Sequence, residues 1–80
     1  MKDLVEYVVK SLVESPDEVS VEEIDDAAET VLELTVSGSD MGRIIGKSGR
    51  VINAIRTLAQ VAAAKQGKRV SVELIETGNR

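Results

Sequence analysis

The chain has no cysteine, histidine, phenylalanine or tryptophan, and only one proline and one tyrosine in 80 residues. Without cysteine there is no disulfide framework and no thiolate metal site, and without histidine the commonest remaining metal ligand and general base is missing too. A reducing compartment suits that composition. Recognition by stacking on aromatic rings is nearly excluded, because Tyr7 stands alone on an acidic segment and reads as packing or surface. No stretch approaches the roughly 18 to 20 apolar residues needed to cross a bilayer, and Met1-Lys2-Asp3-Leu4 lacks a basic segment followed by a long apolar run. The expectation is a soluble, cytoplasmic protein without a membrane partner.

What is present suffices for one domain. Eighty residues with 42% apolar content lie at the low end of what a single core stabilises without help. The predicted unit spans residues 1–80, with an ordered core over about 1–76 and a frayed tail at 77–80. The net charge of −4 conceals an uneven distribution. Residues 1–40 hold twelve acids against Lys2 and Lys10 and carry −10, whereas residues 41–72 carry +7 with no acid at all. That window contains Arg43, Lys47, Arg50, Arg56, Lys65, Lys68 and Arg69. It is either a solvated basic face balancing an acidic one or the footprint of a polyanionic partner.

The acids give no basis for catalysis. Pairs such as Glu22-Glu23 and Asp25-Asp26 fall on opposite faces of a strand or in a turn, so they read as solvated surface, and no catalytic residue is assigned. A divalent ion at Asp25, Asp26 and Glu29 is the weaker alternative. No cofactor, metal site or small-molecule substrate is expected.

Periodicity supplies the elements. Leu4, Val5, Val8, Val9, Leu12 and Val13 recur at helical spacing, with Asp3 as a possible cap and Ser15-Pro16-Asp17 as the break, predicting a helix over about residues 3–14. Val19 and Val21 alternate with polar residues in an edge-like first strand that ends at Asp25-Asp26. Thr30, Leu32, Leu34 and Val36 predict a second strand over about 29–37 with its even-numbered face inward. After Gly38, Ser39 or Asp40 caps a short helical turn, Met41 to Ile45, and a longer helix runs from about Arg50 to Gln66 with Gly67 as its stop. Val70, Val72 and Leu74 alternate in a third strand. On the long helix Asn53, Arg56, Thr57 and Gln60 share one polar arc, and apolar residues cover most of the rest. That is more than packing on one sheet needs, so the excess meets other helices or a second chain.

The distinctive string is Ile44-Ile45-Gly46-Lys47-Ser48-Gly49-Arg50-Val51-Ile52, set between two helices. Two glycines three apart admit backbone turns closed to other residues and let a ligand approach the main chain. They open onto the N-terminus of the long helix, where free N–H groups and the dipole favour an anion, with Lys47, Arg50 and Arg43 around the same point. A phosphodiester backbone fits that chemistry, while a plain interhelical turn is the bland alternative. Gly46-Lys47-Ser48 also copies the end of a nucleotide-binding P-loop, but that motif needs a glycine where Met41 stands, and Gly42 is one residue too close.

Across Ile44, Ile45, Gly46, Gly49 and Ile52 the chain resembles the KH family, whose signature is an aliphatic pair, Gly-x-x-Gly, and an aliphatic three positions on. The likeness covers nearly the whole chain and implies an α+β fold of the bacterial, type II arrangement. The order is α-β-β-α-α-β, with a three-stranded mixed sheet packed against three helices. It implies a non-enzymatic protein that clamps the backbone of single-stranded RNA with Gly46, Lys47, Ser48 and Gly49, aided by Arg50 and Arg43. Bases would lie on a groove walled by Ile44 or Ile45, Val51, Ile52 and Ile55, with Ile45 and Ile52 the foremost candidates and core packing the competing role for each. Modules that stack bases on aromatic rings, such as RRM and OB folds, lack their material here. The resemblance further implies a homodimer or a partnership with a second bacterial RNA-binding protein, and a role as RNA chaperone or post-transcriptional regulator affecting cell-envelope growth and cell shape. The alternative is a KH-like module that dimerises or docks through its apolar helix with little RNA affinity.

Overall fold

A computed structural model describes residues 1–26 and 28–77. Helix α1 (Lys2–Leu12) turns Val5 and Val9 into the core, and the chain leaves it at Val13 in extended conformation before a 3₁₀ turn at Pro16–Glu18. Asp3 does not cap this helix. Met1 occupies the cap position without a side-chain bond, and Asp3 lies inside the first turn, where its charge still favours the helix N-terminus.

Strands β1 (Ser20–Asp25) and β2 (Thr30–Ser37) pair antiparallel, with Val21 opposite Leu34 and Asp25 opposite Thr30. The even-numbered face of β2 is buried throughout and its odd-numbered face is half-buried, as the alternation predicts. β1 is an edge strand and buries only Val21 along its length.

Helix α2 (Met41–Ile45) and helix α3 (Arg50–Ala64) carry the chain back to β3 (Val70–Thr77), which runs parallel to β2 with Leu32 opposite Val72 and Leu34 opposite Leu74. α3 ends two residues before the expected Gln66. Its last turn tightens, with the Gln66 N–H donating to the Ala63 carbonyl at 2.9 Å, and Gly67 then takes a φ of +70°. β3 outlasts its apolar alternation because pairing with β2 continues to Ser37 opposite Thr77. Of the tail expected over 77–80, residues 78–80 lie outside those described.

The sheet order is β1-β2-β3, and the element order α-β-β-α-α-β with a mixed sheet is the α+β architecture expected. One core joins Leu32, Leu34 and Val36 of the central strand to Val5 and Val9 of α1, Ile44 of α2 and Ile52, Ile55, Ala59 and Ala63 of α3. The helices therefore cover one sheet face. On the other, Glu22, Glu33 and Glu73 stand in register across all three strands. Among the described residues no helix is long and apolar enough to cross a membrane.

Candidate nucleic-acid interface

The turn between α2 and α3 needs each glycine for a different reason. Gly46 has φ +75° and ψ 176°, and a Cβ built on it would lie 2.4 Å from Val51 Cγ2 and 2.9 Å from the Val51 nitrogen. Both the backbone conformation and the space exclude a side chain. Gly49 has φ +74° and ψ 16°, a left-handed conformation, while a Cβ there would meet only Asn53 Nδ2 at 3.8 Å. Between them Ser48 adopts φ +57°, the sole non-glycine residue with positive φ among those described. The loop thus holds Lys47 and Ser48 outward, both exposed, on a strained and defined backbone. Gly49 is the N-cap of α3, so no side chain satisfies the first-turn N–H groups of that helix.

The three cations expected here differ in their state. Lys47 and Arg50 are exposed and form no ion pair among the described residues. Arg43 is engaged: its Nη2 lies 2.8 Å from Glu14 Oε2 and its Nε 3.5 Å from Asp40 Oδ1. Asp40 is only 1% exposed and does not bond the N–H groups of α2 as a capping side chain would. Its carboxylate instead accepts the backbone N–H groups of Glu14 at 3.0 Å and Ser15 at 3.1 Å, tying the segment after α1 to the start of α2. Nothing local in the sequence signals this, because the partners lie 25 and 26 residues apart.

The aliphatic residues divide by burial. Ile44, Ile52 and Ile55 belong to the core at 0%, 6% and 2% exposure, so Ile52 has almost no surface to offer a ligand. Ile45, at 38%, and half-buried Val51 are the aliphatic surface beside the loop. The core takes the others because α3 lies directly on the sheet through Ile52, Ile55, Ala59 and Ala63.

A polar strip adjoins this surface. Arg56 is half-buried, and its Nε donates to the Val72 carbonyl at 3.3 Å and its Nη1 to Asn53 Oδ1 at 3.4 Å. The Thr30 N–H donates to the Arg69 carbonyl, which turns the odd-numbered backbone groups of β3 towards β2. Those of Val70, Val72 and Leu74 consequently face the open edge of the sheet, beside the polar arc of α3. The sequence showed the arc of Asn53, Arg56, Thr57 and Gln60 but not the strand edge beside it. The weaker metal alternative fails: among the described residues no three carboxylates come together in a way that could hold a metal ion.

Comparison with known proteins converges on one family. The family model described as KhpA/KhpB, KH domain matches residues 2–74. The chain is 52% identical over 75 residues to the RNA-binding protein KhpA of Clostridium acetobutylicum, covering 94% of this chain and 100% of that one. It is 49% identical over 74 residues to the RNA-binding protein KhpA of Borreliella burgdorferi, covering 92% and 90%. Among solved structures, Era of Aquifex aeolicus shares the fold with a TM-score of 0.66 at 22% identity, over 94% of this chain but only 29% of Era. Era in complex with MgGDPNP and nucleotides 1506–1542 of 16S ribosomal RNA gives 0.64 at the same identity and coverage. A match of this extent, on a chain whose Gly46-to-Gly49 turn and α-β-β-α-α-β order already point the same way, shows that the protein belongs to the KhpA/KhpB KH-domain family.

Proposed function

We propose that this protein binds single-stranded RNA by clamping its backbone at Gly46-Lys47-Ser48-Gly49. The observation that carries the reading is the state of that turn: two positive-φ glycines, a positive-φ serine and the cations Lys47 and Arg50, without ion pairs among the described residues, all at the N-terminus of α3, which no side chain caps. Phosphate oxygens approach the backbone of the turn without meeting a glycine side chain, and Lys47 and Arg50 neutralise them. Ile45 and Val51 offer bases an apolar wall, and the edge of β3 offers hydrogen bonds. The name carried by the relatives, RNA-binding protein, supports RNA as the ligand.

The finer assignment rests on the family resemblance. In it the protein is a non-enzymatic, cytoplasmic RNA chaperone or post-transcriptional regulator. It acts as a homodimer or with a KhpB-like RNA-binding partner and affects cell-envelope growth and cell shape. One KH unit clamps about four nucleotides, so a second subunit would raise both affinity and selectivity.

The test is a double variant, Lys47→Asp with Ser48→Asp, in an RNA gel shift. Both sites are exposed and aspartate is among the residues that tolerate positive φ, so the melting temperature should stay nearly unchanged while RNA binding is lost. Unaltered RNA affinity overturns the proposal. The reading as a protein-interaction module draws on the stripe of Ala54, Leu58 and Val61 along α3, where Leu58 is 46% and Val61 52% exposed. Light scattering would show a dimer that Val61→Asp dissociates. Dimerisation without RNA binding would favour this second reading.

A further inference from the structure

We infer that the nucleic-acid site does not end at the glycine turn but continues along the polar face of α3 to a second phosphate contact at Lys68 and Arg69. The inference rests on the RNA reading above and extends its footprint. The track begins where Gly49 faces Asn53 and passes to Arg56, which is bonded to both Asn53 and the Val72 carbonyl. One turn further on is Gln60, which lines a concavity with Lys68, Arg69, Val70 and Glu29. On an ideal helix Asn53, Arg56 and Gln60 fall within about 60 degrees of one another, so the strip runs nearly parallel to the helix axis.

Charge follows the same line. Lys68 and Arg69 are exposed and form no ion pair among the described residues, unlike Lys2, Lys10 and Arg43. The C-terminal dipole of α3 accounts for a cation near Lys68, but not for Arg69 at the approach to β3 nor for the concavity that both share with Gln60 at the end of the polar arc. Acids mark the far limit. Asp25 and Asp26 join Lys68 and Arg69 in an adjoining concavity on the β1–β2 side, and Asp25 already accepts the Thr30 hydroxyl at 2.9 Å. A strand following α3 meets Lys68 and Arg69 with Glu29 beside them, and further carboxylates beyond.

The 15 residues of α3 span about 22 Å at 1.5 Å each. Phosphates of a stacked strand rise about 3.4 Å apiece, so the helix alone matches the length of about six stacked nucleotides. On a stacked strand that exceeds the four or so held at the loop.

The experiment measures binding of oligouridylates of four, six, eight and ten nucleotides by fluorescence anisotropy, for the wild type and for Lys68→Glu with Arg69→Glu. The wild type should gain affinity between four and eight nucleotides. The variant should bind the four-mer as the wild type does, lose about tenfold on the eight-mer, and show a salt slope on the eight-mer shallower by about 1.4, two contacts' worth. Equal losses on all lengths would mean general electrostatics and overturn the track, as would no loss at all. Failure of the underlying RNA reading is separate: Lys47→Asp with Ser48→Asp would then keep full affinity at every length. Circular dichroism melting confirms that both variants are folded.

Discussion

At the scale of single residues, Asp40 couples the fold to the site. Its buried carboxylate holds the N–H groups of Glu14 and Ser15 and the guanidinium of Arg43, so the segment after α1 and the start of α2 share one anion. Asp40→Ala strands two donors and leaves a small void. It should cost about 2–3 kcal/mol in urea unfolding with the slope unchanged, and loosen the segment that leads into the loop. Arg43 reaches a phosphate only by leaving Glu14, whose side chain is 75% exposed and therefore bound weakly. Glu14→Gln should accordingly tighten RNA binding a few-fold, about what an exposed ion pair is worth. The gain should vanish in an Arg43→Gln background. An equal gain in both backgrounds would show Arg43 to be structural only. The glycines separate just as cleanly. Gly46→Ala meets both a glycine-only backbone conformation and Val51, for a cost of about 3 kcal/mol, whereas Gly49→Ala meets only left-handed strain of about 1 kcal/mol. Thermal melts of the two variants would rank them.

At the scale of elements, α1 and α3 show how one helix serves two surroundings. α1 turns Val5 and Val9 inward and stitches its exposed side with Glu6, which lies 3.1 Å from Lys10 and 3.9 Å from Lys2. The hydrogen bond and charge of Lys10, helped by Lys2, hold the Glu6 carboxyl below its ordinary value. A depressed carboxyl stabilises the fold above its unfolded-state pKa and loses that contribution as pH falls through the lowered value. NMR titration should therefore show Glu6 protonating at lower pH than an unperturbed glutamate, and Lys10→Met should return it towards the usual range. α3 spends one face on the sheet, leaves Leu58 and Val61 exposed on another, and sets the polar arc between core and solvent beside β3. Its apolar excess was legible from the projection. Which apolar residues remain outside was not, since that depends on where α1 and α2 lie. Strand alternation predicted the inward face of β2 because a period of two admits only two choices. The ends of α3 and β3 shifted because a tightened helical turn and continued pairing with β2 decide them, not composition.

At the scale of the whole molecule, the division of charge along the chain becomes a division in space. Glu22, Glu33 and Glu73 form a carboxylate row on the helix-free face of the sheet, and the cations of the glycine turn belong to the helical layer. A protein of net charge −4 can thus attract a polyanion on one side while repelling it on the other. On the proposed site, two or three phosphate contacts from Lys47, Arg50 and a released Arg43 would make log affinity for a four-nucleotide RNA fall against log salt with a slope of about −1.4 to −2.1. A slope near zero in a salt titration would place recognition elsewhere. The sequence alone determined the order of elements, the inward face of β2, the glycine turn and the acid-free window, because periodicity, backbone freedom and charge are local properties. Only the tertiary structure decided that Ile52 serves the core, that Asp40 binds the segment after α1 instead of capping α2, and that Arg43 starts out paired to Glu14. Those outcomes depend on residues far apart in the chain, whose proximity exists only once α1, α2 and the sheet have packed together.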